Sequence, residues 1–177
     1  KTIAYLPLGS GNSVGYALGL KGNLSQMAVR IREGGIHEYD LIDCDEKRRS
    51  FMSSLGLEGT ILGLRDQYLA KGATGFNVYL KAALRAYLKE YRRCIAEITV
   101  DGFTFTVENL LTLLVFKQPY YGYGMRVVPR ARFGDGLLHV LSINSRLFGS
   151  TLGVLTSFTI GNRVGQYRTG RKLTVKL

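Results

Sequence analysis

The pattern of apolar and polar positions is clearest in residues 76–91, FNVYLKAALRAYLKEY. Apolar residues recur there every three or four positions, while charged residues such as Lys81 and Lys89 lie on the opposite side of a helical projection. This spacing predicts an amphipathic helix, and helices of this type normally bury their apolar stripe against a core. The stripe consists of Phe76, Tyr79, Leu80, Ala83, Leu84, Tyr87, Leu88 and Tyr91.

Two further segments have helical spacing, residues 23–33 and residues 146–160. In the first segment the apolar positions fall on one face, and the pair Gly34-Gly35 favours the end of the helix and a linker beyond it. In the second segment Gly149 and Gly153 lower the helix propensity of the interior. We predict a helix in both segments.

Most of the remaining chain has patterns typical of β-strands. Residues 110–116, LLTLLVF, are apolar on both faces, as expected for a buried central strand. Asp101-Gly102 is a two-residue signal for a type I′ hairpin, and Asp135-Gly136 marks a second turn. Strands are predicted at residues 36–43, 51–57, 94–100, 103–107, 110–116, 125–128, 137–143 and 172–177. Many strands with few helices indicate the α+β class, with an antiparallel β-sandwich or barrel-like domain decorated by helices.

A glycine-rich segment near the start, residues 6–20 (LPLGSGNSVGYALGL), has the pattern of a strand end, a tight turn and a helix start. Gly9 and Gly11 leave the backbone open to close approach by a ligand, and Ser10 and Asn12 are residue types that cap helices. A turn of this kind is a natural phosphate site. The spacing matches neither a Walker A loop nor the dinucleotide fingerprint, so an ordinary strand-to-helix turn stays open as the alternative.

The charge is the unusual feature of the composition. The 177 residues are 46% hydrophobic and 21% charged, as in a folded globular protein, but 24 Lys and Arg face only 13 Asp and Glu, which gives +11. This balance favours partners with phosphate or anionic headgroups: a nucleotide, a nucleic acid or a membrane surface. No apolar run is long enough to predict a transmembrane helix, and no signal peptide is predicted.

The cysteines and histidines do not form a metal-binding pattern. Cys44, Cys94, His37 and His139 lack the spacing of zinc ligands, so we do not predict a zinc site. Two isolated thiols favour a reducing, cytoplasmic location. A disulfide between the two cysteines stays open on the sequence alone.

Four short segments follow one another along the chain: residues 7–12 (PLGSGN), 119–125 (PYYGYGM), 128–131 (VPRA) and 134–138 (GDGLL). Together they resemble the P-x-G-[ST]-x-N, glycine-rich (often G-G-G-M), P-x-A and D-G-x-L segments of the diacylglycerol kinase and sphingosine kinase superfamily of lipid kinases. Tyr123 interrupts the glycines, which is a mild departure. The resemblance spans nearly the whole chain but only part of a lipid kinase, mainly its C-terminal domain.

The resemblance implies an ATP-dependent enzyme that phosphorylates a lipid hydroxyl of the diacylglycerol or sphingoid type, with ATP and Mg²⁺ as cofactors. The implied nucleotide-binding residues are Gly9, Ser10, Gly11 and Asn12. Asp40 matches the position that supplies a carboxylate to the acidic network around Mg²⁺, although the sequence alone favours an exposed strand carboxylate. Ser13 stands where many bacterial diacylglycerol kinases have an aspartate of that network.

The resemblance also implies two domains. Residues 1–35 correspond to the end of an α/β nucleotide-binding domain, and residues 36–177 to a β-rich lipid-binding domain. The sequence lacks the G-G-D-G-T phosphate loop of the family and the D-G-E motif that supplies its catalytic carboxylates. No catalytic residue is therefore assigned, and we expect this segment alone to be inactive.

The implied partners are a nucleotide, a lipid substrate and an anionic membrane surface, for a cytoplasmic protein with peripheral membrane association. In this interpretation helix 76–91 walls a lipid pocket. The basic residues that would reach a membrane are Lys47, Arg48, Arg49, Arg126, Arg130 and Arg132. A non-catalytic lipid-binding or membrane-docking module is the alternative function. We expect no nucleic-acid partner, because no strand alternates aromatic and basic residues as stacking platforms do.

Overall fold

The computed structural model describes residues 2–9, 11–20, 22–144 and 146–177. Its strands are β1 (Ile42–Cys44), β2 (Arg48–Ser50), β3 (Met52–Gly56), β4 (Cys94–Val100), β5 (Phe103–Leu110), β6 (Thr112–Phe116), β7 (Leu138–Ile143), β8 (Gln166–Gly170) and β9 (Leu173–Lys176). Its helices are α1 (Ser13–Ala17), α2 (Leu24–Glu33), α3 (Leu57–Ala70), α4 (Phe76–Arg85) and α5 (Leu147–Ser157). A π-helical turn, Ala86–Glu90, extends α4, and a 3-10 turn spans Gly122–Gly124.

Two antiparallel sheets pack face to face. One has four strands in the order β3-β6-β7-β8, the other has three in the order β5-β4-β9, and β1 pairs with β2 in a separate hairpin. Ala96 and Ile98 of the three-stranded sheet share a buried cluster with Leu113, Val115 and Val140 of the four-stranded sheet. This arrangement confirms the predicted α+β class and the antiparallel β-sandwich.

The central strand β6 is buried at every position, as predicted. Its alternate side chains Leu114 and Phe116 point away from the sandwich interior and belong to a second cluster with Val127 and Val128. Successive side chains of a strand point to opposite faces, and here both faces are covered. The Asp101-Gly102 hairpin is also confirmed, since it joins β4 and β5 with positive φ at both residues.

The three predicted helices form, but the predicted stripe of residues 76–91 is only partly buried. The buried cluster of α3 and α4 uses Ile61 and Leu64 against Ala82 and Ala86, whose small side chains let the helices approach closely. Three leucines of the predicted stripe are exposed instead: Leu80, Leu84 and Leu88. The buried face of α4 is therefore rotated from the face that the spacing predicts.

Several predicted strands differ from the structure. Residues 36–41 and 125–128 have no regular structure, and in the first segment the strand begins only at Ile42, where β2 supplies a hydrogen-bonding partner. Residues 2–9, predicted to include the end of a strand, also have no regular structure. In residues 125–128, Val127 and Val128 are buried, and they belong to a loop that crosses the face of the sheet. Helix α3 was not predicted, because Gly59 and Gly63 weaken its pattern.

Both cysteines are free, so the disulfide that the sequence left open does not form. Among the described helices, none is long and apolar enough to span a bilayer.

Candidate functional site

The predicted glycine turn leads into the five-residue helix α1. Gly9 is exposed, whereas Gly11 and Asn12 are half-buried; Ser10 lies outside the described residues. Asn12 precedes the helix with φ 44° and ψ 36°, a left-handed conformation that asparagine tolerates, and its side chain makes no capping hydrogen bond. Three of the four predicted nucleotide-binding residues therefore lie in one turn, without the side-chain cap that Asn12 was expected to supply.

This glycine turn packs against the second glycine-rich segment. The carbonyl of Gly11 accepts a hydrogen bond from the amide of Tyr123 at 2.9 Å. A Cβ on Gly11 would lie 3.4 Å from the Cα of Gly122, so a larger side chain would push the two turns apart. Two segments that are far apart in the sequence are thus in direct contact.

Tyrosine side chains surround the 3-10 turn. The hydroxyl of Tyr79 lies 3.3 Å from that of Tyr121, and its ring centroid lies 6.4 Å from that of Tyr123. On the other side Tyr16 of α1 contacts Tyr120, with 5.8 Å between the ring centroids. Burial raises the pKa of both Tyr79 and Tyr121. Their hydroxyls therefore stay protonated at neutral pH.

A half-buried acid, Glu58, lies in the first turn of α3. The hydroxyl of Thr112 in β6 donates a hydrogen bond to the carboxyl group of Glu58 in α3. Burial raises the pKa of Glu58, and the Thr112 hydrogen bond offsets that effect only in part. A charge on Glu58 would also raise the pKa of Tyr79 and Tyr121.

Asp40, the predicted metal residue, contacts a buried lysine. Lys117 follows β6, and its ammonium group lies 3.1 Å from Asp40 Oδ2 and 3.4 Å from Asp135 Oδ1. The same ammonium group donates a hydrogen bond to the carbonyl of Leu137 at 2.7 Å. Three oxygen atoms from two separate segments, residue 40 and residues 135–137, therefore converge on one side-chain cation.

Asp135 connects this lysine to a buried histidine. Its Oδ2 atom lies 2.7 Å from Nε2 of His139, and Nδ1 of that ring lies 2.6 Å from the hydroxyl of Tyr167. The sequence identified Asp135 only as a turn residue. We call the five connected side chains the lysine network: Asp40, Lys117, Asp135, His139 and Tyr167.

The lysine network keeps its two carboxyl groups ionised. The amide of Gly136 donates to Asp40 Oδ2 at 2.8 Å, and this hydrogen bond, with that from Lys117, lowers the pKa of Asp40. Burial alone would raise the pKa of Asp135, but the hydrogen bonds with the Leu137 amide and the His139 ring, together with the nearby Lys117 charge, outweigh burial and lower it. Both carboxylates are negatively charged at neutral pH.

A cleft of about 340 Å³ opens beside the lysine network. It is lined by Asp40, Leu41, Asp43, Lys117, Gly136, Leu138 and Arg171. Carboxylate and carbonyl oxygens are the donors that Mg²⁺ prefers, so the donor chemistry of Asp40 fits the metal role that the resemblance implies. The position on which these oxygens converge is taken by the Lys117 ammonium group, and the described residues contain no group of three or more potential ligands around an ion position.

Asp40 and the glycine turn belong to separate clusters, and among the described residues no hydrogen bond joins them. Sequence reasoning did not identify Lys117, His139 or Glu58 as site residues. For Lys117 one signal was available, because a charged residue next to a strand buried on both faces needs a partner. For Glu58 the sequence offered no such signal, since its helix α3 was not predicted.

The comparisons with known proteins concern the family and the fold of the chain. The chain matches the family described as the YegS C-terminal NAD kinase beta sandwich-like domain over residues 64–171. No curated protein matches the chain.

Three solved structures of proteins from Bacillus anthracis str. Sterne, described as diacylglycerol kinases and two of them provisionally so, share the fold. Their TM-scores are 0.69, 0.67 and 0.64 at 16%, 17% and 16% identity, and each match covers 95% of this chain. The chain spans 56%, 56% and 55% of those three proteins.

The family match covers more than half of the chain and includes most of the β-sandwich. The structural neighbours agree with the lipid kinase resemblance of the four sequence segments. The chain therefore belongs to the family of YegS C-terminal NAD kinase β-sandwich-like domains, and it shares its fold with the three solved structures described as diacylglycerol kinases.

Proposed function

We propose that this chain is the lipid-binding part of an ATP-dependent lipid kinase, which transfers a phosphate group to a hydroxyl of a diacylglycerol or sphingoid-type lipid. The observation that carries the proposal is the contact of Gly11 with Gly122 and Tyr123. This contact joins the segment assigned to the nucleotide to the domain that would hold the lipid. Family membership supports the same assignment.

The glycine turn would bind the nucleotide through its backbone. Gly9 and Gly11 have no side chains, so phosphate or ribose oxygens can approach the main chain closely, and Ser10 and Asn12 complete the proposed set. We propose Asp40 for the acidic network around Mg²⁺, an ion that would neutralise phosphate charge during transfer. In that role the Gly136 amide and Lys117 hold the Asp40 carboxylate ionised and in a fixed position.

The tyrosine pair would hold the acceptor end of the lipid. Tyr79 and Tyr121 carry protonated hydroxyls next to the turn that contacts the nucleotide segment. These two hydroxyls can donate hydrogen bonds to a lipid headgroup and accept hydrogen bonds from it without adding charge. The chemistry of transfer also requires a carboxylate base, which we do not assign to this segment.

The proposed partners are a nucleotide, a lipid and an anionic membrane surface, and we propose no nucleic-acid partner. Two free thiols support a cytoplasmic location with peripheral membrane association. We keep the division into residues 1–35, as the end of a nucleotide-binding domain, and residues 36–177, as the lipid-binding domain. The 177-residue segment alone is expected to transfer no phosphate to lipid.

The test is the KM for ATP of the whole protein that carries this chain. Gly11→Val should raise this KM by about tenfold or more, because its branched side chain separates the two turns and misplaces the nucleotide. Gly11→Ala should behave like the unaltered protein, since a Cβ there is only in contact with Gly122. Gly35→Val is the matched control, because a Cβ on Gly35 meets no atom within 4 Å. An unchanged KM in a folded Gly11→Val variant would contradict the assignment.

A further inference from the structure

Helix α5 and the turn after it present their large apolar side chains to solvent. The exposed set, which we call the apolar face, is Phe148, Leu152, Val154, Leu155, Phe158 and Ile160. Phe148 is 83% exposed and Leu155 is 62% exposed. The buried positions of the same segment are Gly153, Ser157 and Gly161. This is the reverse of an ordinary surface helix, which buries its large apolar residues.

The small residues fix this orientation. A Cβ on Gly153 would lie 2.7 Å from the side-chain nitrogen of Asn162, so no larger residue fits there without a shift. The hydroxyl of Ser157 donates to the carbonyl of Gly153 at 2.7 Å, and the carbonyl of Ser157 accepts a hydrogen bond from the amide of Arg126 at 2.6 Å. Turning the apolar face inward would place a leucine or phenylalanine where Gly153 now lies against Asn162.

Basic residues border the apolar face. No charged residue occurs between Arg146 and Arg163, and both of these arginines are exposed. The loop with exposed Arg126 and Arg130 is tied to the end of the segment, because the carbonyl of Val127 accepts a hydrogen bond from the Asn162 amide at 3.0 Å. The apolar face therefore has arginines at both of its ends and in the adjoining loop.

The charge bias extends over the whole last third of the chain. Residues 118–177 contain nine Lys and Arg and one acidic residue, Asp135. That acid is paired with Lys117 and His139 in the lysine network. A surface of this kind is complementary to an anionic bilayer, with apolar side chains for the acyl boundary and arginines for the headgroups.

We propose that α5 is the membrane-docking element of this domain. The apolar face enters the acyl boundary of an anionic membrane, while Arg146, Arg163 and Arg126 contact lipid phosphates. The choice of a membrane as the occupant rests on the proposed function, because a lipid kinase must reach a substrate that stays in a bilayer. A second copy of the chain is a poor occupant, since pairing two such surfaces would bring like charges together.

The experiment uses a single tryptophan reporter, because residues 1–177 contain no tryptophan. Phe148→Trp places the reporter in the apolar face. Phe103→Trp is the matched control, since Phe103 is an aromatic residue that is 59% exposed and has the Arg168 guanidinium group 5.2 Å from its ring. Fluorescence is recorded with vesicles of phosphatidylglycerol and phosphatidylcholine, with vesicles of phosphatidylcholine alone, and at low and high salt.

With the anionic vesicles, the tryptophan emission of Phe148→Trp should shift to the blue, and lipid brominated in its acyl chains should quench it. Both effects should weaken at high salt. Phe103→Trp should show no shift. The double variant Phe148→Ser, Leu155→Ser should keep its circular dichroism spectrum and partition about tenfold more weakly or worse, because two large apolar side chains are lost.

Three results would overturn the proposal: no shift of Phe148→Trp, equal shifts of both reporters, or vesicle binding unchanged in the double variant. A Phe148→Trp spectrum that is already blue-shifted without vesicles, and that depends on protein concentration, would also overturn it and indicate a contact between copies. Vesicle binding requires no ATP, whereas the proposed function is tested by the KM for ATP and by phosphate transfer to lipid in detergent micelles. Failure of one experiment is therefore distinguishable from failure of the other.

Discussion

Replacing Lys117 by methionine should remove the cation that three oxygen atoms share. The Lys117 side chain is 3% exposed, while those of Asp40 and Asp135 are 41% and 25% exposed. Methionine is flexible and of similar length, so the variant loses charge and hydrogen bonds more than packing. Removing one partner of a buried ion pair lowers the free energy of unfolding by about 3–5 kcal/mol. Because both carboxylates are partly hydrated, we expect Lys117→Met to fall near the lower end of that range.

The assay is urea unfolding, with the melting temperature as a second measurement. A loss of about 3 kcal/mol corresponds to a decrease of about 6–12 °C in the melting temperature for a chain of this size. Lys176→Met is the matched control, because its ammonium group lies 3.2 Å from Glu97 but its side chain is 75% exposed. Exposed pairs contribute about 0–1 kcal/mol, so the control should change stability little.

The pH dependence provides a further check on Lys117→Met. The folded protein lowers the pKa of Asp40 and Asp135 below the ordinary value of 3.8. Their ionised forms therefore stabilise the fold above about pH 4, and this contribution is lost as the pH falls below that value. Because Lys117 is one cause of both shifts, Lys117→Met should reduce the loss of stability between pH 5 and the acid range.

The reasoning would be refuted if Lys117→Met and Lys176→Met changed the free energy of unfolding equally. A Lys117→Met variant with an unchanged acid dependence would likewise show that Lys117 does not hold the two carboxylates.

Two other substitutions test the half-buried acid Glu58 and the Asp101-Gly102 hairpin. Burial raises the pKa of Glu58, so ionisation of this acid destabilises the fold as the pH rises above about 4.5. Glu58→Gln removes the ionisation, and its free energy of unfolding should therefore increase relative to that of the unaltered protein over this pH range. Parallel pH profiles of the two proteins in urea unfolding would argue against this. Asp101→Ala should lower the free energy of unfolding by about 1–3 kcal/mol, since the Asp101 carboxylate accepts the amides of Arg171 and Lys172. Equal melting temperatures of Asp101→Ala and the unaltered protein would contradict that role.

The parts of the fold that depend on local pattern could be predicted from the sequence. The Asp101-Gly102 hairpin follows from turn chemistry, and the burial of β6 follows from its apolar residues on both faces. Helix α2 follows from its spacing, and the structure adds a capping box between Asn23 and Gln26. These features are decided by neighbours within a few residues.

The parts that depend on tertiary closure could not be predicted in this way. Lys117 meets Asp40 and Asp135 only because three separate segments close around the end of β6. The spacing of residues 146–160 predicts a helix, yet it does not show that Gly153 and Ser157 are the buried positions. Which face of a helix is buried depends on what the rest of the chain packs against it.

The most direct test of the central claim is phosphate transfer by the whole protein that carries this chain. Radiolabelled ATP is supplied with diacylglycerol or sphingosine in mixed micelles, and the products are separated by thin-layer chromatography, with NAD as a competing acceptor in a parallel reaction. We predict label on a lipid and none on NAD. Label on NAD alone, or release of free phosphate without a labelled lipid, would contradict the account.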